Sequence, residues 1–411
     1  MRAARRRVAF VHPNLGFGGA ERVLVEEVRA LAGADVAVDV FLTGNPELRH
    51  LEPDLRAAHP RVERIEAATS SGGLARRLVH DRHALVVTCI DPRGLRAAAH
   101  ARRFPWRRRP AVVAVVHSRY PAAVHGLGGR ARAADVVVVT DDVVDALAPA
   151  LGLPPARFAV ARPLVAAFLP AVGEAERVAA RALRASFGVG DGATLLGLHG
   201  RIAPDKGVLE TVDAWRRLVA EGHDVHLVVA GRRVEPTEWG GAAFLAAFDD
   251  RRRAVAADPA LARRFHEVGA GPTPLALLCA LDLFLLPSQH EGLMPLAILE
   301  ALAVGTPVVA TAVGGIGRCL VDGRDAVLLP RDPDDGSPHP PGFPATLAAA
   351  VAPLLADPAR RARLGEAGHA RARALVATNT FHADFRAACD RALVATRSPP
   401  LGNAATTAPC P

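Results

Sequence analysis

The sequence predicts an α/β protein made of two doubly wound parallel sheets in tandem. Short, apolar, β-branched runs alternate with longer amphipathic stretches, the pattern of strands buried on both faces by crossover helices. The alternation repeats in the second half of the chain. A length of 411 residues exceeds one ordinary core but fits two domains of roughly 150–200 residues each. Strands and helices alternating in this way imply parallel sheets with right-handed connections.

Val8–Val11 is the first strand, followed by a Gly-rich turn and a helix from Ala20 to Leu31. Val36–Leu42, Leu85–Cys89, Val112–Val116 and Val136–Thr140 continue as strands. In the second half, Leu195–Leu198 is a strand and Val208–Val219 a helix. Val225–Ala230, closed by Gly231, is the next strand, followed later by Leu283–Leu286 and Val308–Thr311. Between the halves Glu174–Phe187 is helical, and the linker is placed near Ala161–Pro170. Arg331–Pro344, rich in Pro, Gly and Asp, reads as a loop. Ala359–Ala374 and Phe381–Val394 are the last helices, and Arg397–Pro411 has the composition of a disordered tail. The division is then an N-terminal domain over 1–165 and a linker with the first helix of the second domain over 166–190. A C-terminal domain over 191–375 follows, then a final helix over 376–396 expected to return to the first domain, and a tail over 397–411.

The net charge of +8 and a pI near 10.3 raise nucleic acid, anionic membrane or a phosphorylated substrate as partners. Cationic runs occur at Met1–Arg7 and from Arg102 to Arg109, but aromatics are only 4% and do not interleave with them. Stacking platforms for single strands are therefore missing, and no nucleic acid partner is expected. Solvated surface is the first reading of both runs, with weak peripheral contact to anionic lipid the minority one. Cys89, Cys279, Cys319, Cys389 and Cys410 are dispersed and odd in number, which fits a reducing cytosol. The apolar run Val8–Val11 is too short for a signal peptide, and no stretch approaches a membrane span. Leu275–Leu286 comes nearest and is interrupted by Asp282. A cytoplasmic protein, peripheral at the membrane in that minority reading, is expected.

Ligands of open α/β sheets bind outside the carboxyl ends of the strands. The two sheets are thus expected to face a central cleft, and segments just after strands carry the chemistry. The first is His12-Pro13-Asn14-Leu15-Gly16-Phe17-Gly18-Gly19-Ala20-Glu21-Arg22. Its glycines permit a tight turn and close backbone approach, and the helix behind it offers N–H groups to a phosphate or sugar oxygen. A dinucleotide fingerprint fails in register, because the third glycine position counted from Gly16 holds Glu21. The second segment is Gly200-Arg201-Ile202-Ala203-Pro204-Asp205-Lys206-Gly207, two cations just past a buried strand. Arg grips two oxygens as a planar fork and Lys acts as a point charge, so the pair suits a leaving diphosphate. The third runs from Pro287-Ser288-Gln289-His290-Glu291-Gly292 through Met294-Pro295-Leu296 to Glu300-Ala301. Pro295 fits the first helical position, Glu300 falls in the second turn of an apolar helix, and backbone N–H groups near Met294–Ala297 suit a phosphate. His117 follows the strand Val112–Val116, and the Gly-rich loop Val313–Gly317 follows Val308–Thr311. No Zn-type cluster occurs, and the one Asp-x-Asp spelling, Asp332-Pro333-Asp334, lies in a Pro-rich loop, so no metal site is expected.

Together these segments, with Leu281-Asp282-Leu283-Phe284-Leu285-Leu286-Pro287-Ser288, resemble the retaining family 4 glycosyltransferases of the GT-B fold, over nearly the whole chain from Val8 to Val394. The opening motif is also similar, locally, to mannosyltransferases that extend lipid-linked oligosaccharides. The resemblance implies two Rossmann-like domains and transfer of a hexosyl group from a nucleotide-diphosphate sugar to a hydroxyl acceptor, small-molecule or lipid-linked. In it Arg201 and Lys206 hold the donor diphosphate, Glu300 binds the ribose hydroxyls and Glu291 contacts the donor sugar. Met294, Pro295 and Leu296 line the donor site, Gly18 and Gly19 border donor and acceptor, and His117 touches a sugar hydroxyl. It further implies retention of anomeric configuration by a same-face displacement, with no metal and no cofactor beyond the donor itself. The composition points to a bacterial antibiotic or envelope pathway.

Two departures bear on the site. Eight residues separate Glu291 and Glu300, where the family usually has seven, and the extra one falls at Leu293–Met294. Arg318 stands shortly after Gly314-Gly315, where the family often has Glu. The altered spacing keeps open a catalytically silent sugar-nucleotide-binding subunit as the alternative. A nicotinamide oxidoreductase is disfavoured by the failed fingerprint.

Overall fold

The computed structural model describes residues 6–16, 18–89, 91–104, 109–116, 127–139, 144–161, 172–236, 240–269, 274–292, 294–331, 337–399 and 401. The chain separates into two compact units, Met1–Leu164 with Asn379–Pro411, and Val165–Thr378.

The first unit carries a seven-stranded sheet: β1 (Arg6–His12), β2 (Val36–Leu42), β3 (Val62–Ala67), β4 (His83–Cys89), β5 (Ala111–Val116), β6 (Val136–Val139) and β7 (Phe158–Val160). All pairings are parallel, in the order β3-β2-β1-β4-β5-β6-β7. Successive side chains of β1 feed two cores. Val8 and Phe10 pack with Leu24 and Val28 of the helix Gly19–Arg29 and with Phe381, Phe385 and Leu393 of the helix Phe381–Ala395. Ala9 and Val11 pack on the opposite face with Leu74, Leu78 and Leu95. Both faces are thus covered, which is why the inner strands are apolar without alternation. At the other end of the sheet Arg7 and Arg64 grip Asp39 at 2.7 and 2.8 Å, and His83 Nε2 lies 2.7 Å from the same carboxylate. Burial opposes the Asp39 charge, but His83, Arg64 and Arg7 outweigh it and hold its carboxyl well below the usual range. Asp39, Asp81 and His83 are the one group of three potential metal ligands close together among the described residues, and the two guanidiniums already engage both Asp39 oxygens.

The second unit carries a six-stranded parallel sheet: β8 (Thr194–His199), β9 (Val225–Ala230), β10 (Phe265–Val268), β11 (Leu283–Leu286), β12 (Val308–Thr311) and β13 (Val327–Leu329). Its order is β10-β9-β8-β11-β12-β13. The core gathers Trp215 and Val212 of the helix Val208–Ala220, Phe248 of Gly241–Ala256, and Leu347 and Val351 of Phe343–Ala356. Trp215 is fully buried and its Nε1–H donates to the Val225 carbonyl at 3.1 Å.

Four strands, β3, β7, β10 and β13, were not expected from the sequence. They are the four sheet edges. Edge strands are shorter or more polar than inner ones, and Val62–Ala67 shows it with Glu63, Arg64 and Glu66. The expected loop Arg331–Pro344 ends two residues earlier, because Phe343 and Pro344 open the next helix. The tail does not begin free. Leu401 is buried, its N–H donates to Asp390 at 2.5 Å, and Arg386 donates to its carbonyl at 2.9 Å. The linker expected at Ala161–Pro170 lies, except for Ala161, outside the described residues. No described helix is long and apolar enough to cross a membrane.

Candidate active site

In each sheet the strand order reverses at one point, between β1 and β4 in the first unit and between β8 and β11 in the second. The crevice beyond the carboxyl ends of such a strand pair is the ligand position of doubly wound folds. The sequence places Arg201 and Lys206 in the segment after β8, and Ser288 and Glu291 in the segment after β11.

These two segments lock together. Lys206 Nζ donates to Glu291 Oε1 at 2.6 Å and lies 3.5 Å from Asp205 Oδ2. The Ser288 hydroxyl donates to the same Glu291 oxygen at 2.7 Å. Arg201 Nη2 donates to Asp205 Oδ1 at 3.0 Å, and Gln289 N–H donates to the Asp205 carbonyl at 2.8 Å. Two cations and two carboxylates therefore form one formally neutral cluster. Burial works against the Lys206 charge, yet Glu291 and Asp205 more than offset it and leave its pKa above the ordinary value. Burial raises Asp205, but Lys206 and Arg201 prevail and hold it low. Arg201 is the exposed member, with 41% of its side chain accessible, whereas Lys206 has 19%.

The local backbone explains why Lys206 stands where it does. Pro204–Lys206 is a single 3-10 turn, and Gly207 reverses the chain into Val208–Ala220 with φ of 66°. A Cβ at Gly207 would come within 2.0 Å of the Pro287 carbonyl oxygen. The absence of a side chain lets the β8 and β11 segments touch directly.

The helix expected from Pro295 runs from Leu296 to Ala303, with Pro295 as its N-cap. The Pro295 carbonyl accepts from the N–H groups of Ile298 and Leu299 at 3.0 and 3.1 Å. Glu300 is in the second turn and buried, as is Met294 ahead of the helix. The extra residue of the Glu291–Glu300 stretch falls at Leu293, outside the described residues, and Met294. Arg318 is exposed on the short helix Gly315–Cys319.

In the first unit, Gly18 caps the helix Gly19–Arg29 beyond β1. The Glu21 carboxylate folds over it, and a Cβ at Gly18 would stand 2.0 Å from Glu21 Oε2. A carboxylate so placed complements the helix dipole itself, which favours a hydroxyl over a phosphate as ligand there. Beside it His12 is buried, its Nδ1 2.6 Å from the Asn14 carbonyl oxygen, and burial lowers its pKa to about 4. His117, Asp332 and Asp334 lie outside the described residues. Asp205 and Ser288 were not singled out from the sequence. A carboxylate between two cations was the available signal for Asp205. For Ser288, its partner Glu291 three residues on becomes informative only once Lys206 is known to face it.

Two doubly wound parallel-sheet units define a protein of GT-B architecture. This chain belongs to glycosyltransferase family 4. Residues 17–165 match the model described as Glycosyltransferase Family 4, and residues 193–357 that described as Glycosyl transferases group 1. The 2-deoxystreptamine N-acetyl-D-glucosaminyltransferase of Streptomyces fradiae is 30% identical over 319 residues, 75% of this chain and 67% of that protein. The alpha-maltose-1-phosphate synthase of Mycobacterium tuberculosis is 36% identical over 195 residues, 46% of this chain and 45% of the synthase. In that match the chain spans about half the relative's length. Among solved structures, Anabaena HepE in complex with UDP-glucose superposes with a TM-score of 0.72 at 18% identity, over 92% of this chain and 98% of that one.

Proposed function

We propose that this protein transfers a hexosyl group from a nucleoside-diphosphate sugar to a hydroxyl acceptor, with retention of configuration and without a metal ion. The observation that carries this reading is the cation pair Arg201 and Lys206 after β8, at the switch point of the second sheet. As the bond between the sugar's anomeric carbon and the diphosphate breaks, charge grows on the departing oxygens. Preorganised cations stabilise that charge more than the ground state. Arg201 and Lys206 supply the positive charge that a divalent ion supplies in metal-dependent transferases. The acceptor hydroxyl attacks on the same face, its oxygen bonds to the anomeric carbon, and its proton passes to the departing diphosphate. Glu300 binds the ribose hydroxyls, Glu291 approaches the donor sugar, and Met294, Pro295 and Leu296 border the donor. Gly18 and Gly19 border donor and acceptor.

What supports the transfer of a sugar from a nucleotide-sugar donor is the likeness to two proteins. One is named for moving N-acetyl-D-glucosamine to 2-deoxystreptamine, and HepE was solved with UDP-glucose. A small-molecule natural product is the acceptor class in best accord with the first of these, and a lipid-linked saccharide is the other candidate. The test is a binding and slow-hydrolysis screen against UDP-, GDP-, dTDP- and ADP-sugars in EDTA, with Arg201→Ala beside the wild type. One donor hydrolysed by the wild type and spared by the variant is the expected result. Binding without hydrolysis or transfer, with acceptors supplied, would make the protein a silent sugar-nucleotide-binding subunit.

A further inference from the structure

Among the described residues between β13 and the helix Phe343–Ala356, His339 reaches back to the candidate site. His339 is 9% exposed, and its ring lies flat on Phe343, with centroids 3.7 Å apart and an interplanar angle of 8°. Its Nε2 is 2.8 Å from the Pro287 carbonyl oxygen, and its Nδ1 is 3.1 Å from Arg331 Nη1. These partners settle the proton positions. A carbonyl oxygen only accepts, so Nε2 carries the hydrogen. A guanidinium only donates, so Nδ1 presents its lone pair. Both contacts demand the same neutral tautomer, and burial together with Arg331 lowers the pKa to about 4 despite the Pro287 carbonyl, which keeps the ring neutral at ordinary pH.

Pro287 is the joint of the site. Its carbonyl oxygen is flanked by Gly207 on one side and His339 on the other. Ser288, the next residue, donates to Glu291, and its own carbonyl accepts from the Thr311 hydroxyl at 2.5 Å. Glu291 in turn holds Lys206. We propose that His339 is a positioning residue of the donor site, fixing the Pro287 peptide so that Ser288 and Glu291 meet Lys206 in one geometry. This rests on the donor-site reading given above. His339 touches no reacting group and acts through Pro287.

His339→Phe keeps the ring and its stacking but removes both hydrogen bonds. Donor kcat/KM is expected to fall about ten- to a hundredfold, the scale of a small misplacement at a reacting centre, with a matching loss of nucleoside-diphosphate affinity. His339→Gln offers an amide N–H at the position of Nε2, whereas His339→Asn mimics only Nδ1. Gln is therefore expected to restore most of the donor affinity and Asn little of it, a difference that general loss of packing would not produce. Combined with Ser288→Ala, the His339→Phe effect is expected to be less than additive, since both act on one segment. Wild-type donor affinity in His339→Phe, or equal affinities in the Gln and Asn variants, would overturn the proposal. The Gln and Asn pair decides it even where the Phe variant does not fold. Lys206→Ala and Arg201→Ala measured in parallel separate the two failures. If Lys206→Ala and Arg201→Ala also bind and turn over normally, the donor-site reading itself is wrong.

Discussion

Lys206 is held by Glu291 and, more loosely, by Asp205, so an anion that takes its ammonium must compete with carboxylates already in place. Arg201 is the more exposed cation, which under the proposed function makes it the first to meet an entering diphosphate. Each charge-assisted contact contributes about 1.5–3 kcal/mol, so Lys206→Ala or Arg201→Ala should each reduce turnover about tenfold to a hundredfold while leaving the circular dichroism spectrum unchanged. Near-wild-type kcat/KM in both variants would remove the phosphate role. Glu27 presents a different problem. It is fully buried in the helix Gly19–Arg29, neither oxygen has a hydrogen-bond partner among the described residues, and burial raises its pKa from 4.5 to about 8. Below pH 4.5 both folded and unfolded chains hold its proton, so the group costs nothing in charge. Between 4.5 and 8 the unfolded chain releases the proton and the folded one keeps it, so stability falls as pH rises through this window. Glu27→Gln should abolish that slope and gain on the order of a few kcal/mol at the alkaline end. Urea unfolding at pH 5 and pH 8.5 measures it, and equal pH dependence in variant and wild type would refute the assignment.

At the scale of elements, the junction between the β8 and β11 segments depends on Gly207. Its φ of 66° is one that other residues adopt at a cost, and a Cβ would meet the Pro287 carbonyl. Gly207→Ala should therefore destabilise the chain by about 1–3 kcal/mol and weaken nucleoside-diphosphate binding together with stability. A variant with unchanged denaturation midpoint and affinity would show that the two segments do not need this contact. Gly207 was legible in the sequence as the end of a motif, as were the inner strands, because a strand covered on both faces must be apolar at every position. Val225–Ala230, Leu283–Leu286 and Val308–Thr311 fall where the sequence puts them. The edges β3, β7, β10 and β13 were not legible, since one hydrogen-bonding side faces outward and charged residues such as Glu267 are tolerated there. The site divides the same way. Arg201, Lys206, Glu291 and Glu300 stand out because charge just beyond an apolar strand, or on an apolar helix, is locally conspicuous. His339 sits among prolines in a segment of loop composition, and its link to Pro287 spans 52 positions of chain that no local pattern encodes.

Across the whole chain, the first unit is closed by its last helix. Phe381, Phe385, Ala388, Cys389 and Leu393 of Phe381–Ala395 join the core that β1, β4 and β5 build from the other end of the sequence. His382 reaches Glu26 of the first helix at 2.8 Å, and Arg391 donates to the Phe158 carbonyl on β7 at 2.8 Å. The chain thus leaves this unit, forms the second, and returns to complete the first. Residues far apart in sequence then share one stability, and loop-closure entropy makes that late contact slow to form. Phe385 is fully buried in the returning helix. Phe385→Ala removes a large aromatic side chain from a closed core and should cost about 3–5 kcal/mol. Hydrogen exchange followed by mass spectrometry is the measurement suited to it, because it reads stability strand by strand. Protection should fall in peptides covering Val8–His12 and Val112–Val116, in which Val8, Phe10, Val113 and Val115 face the lost ring's core. Unchanged protection in those strands would mean that the C-terminal helix does not close this core, and that the unit is complete without it.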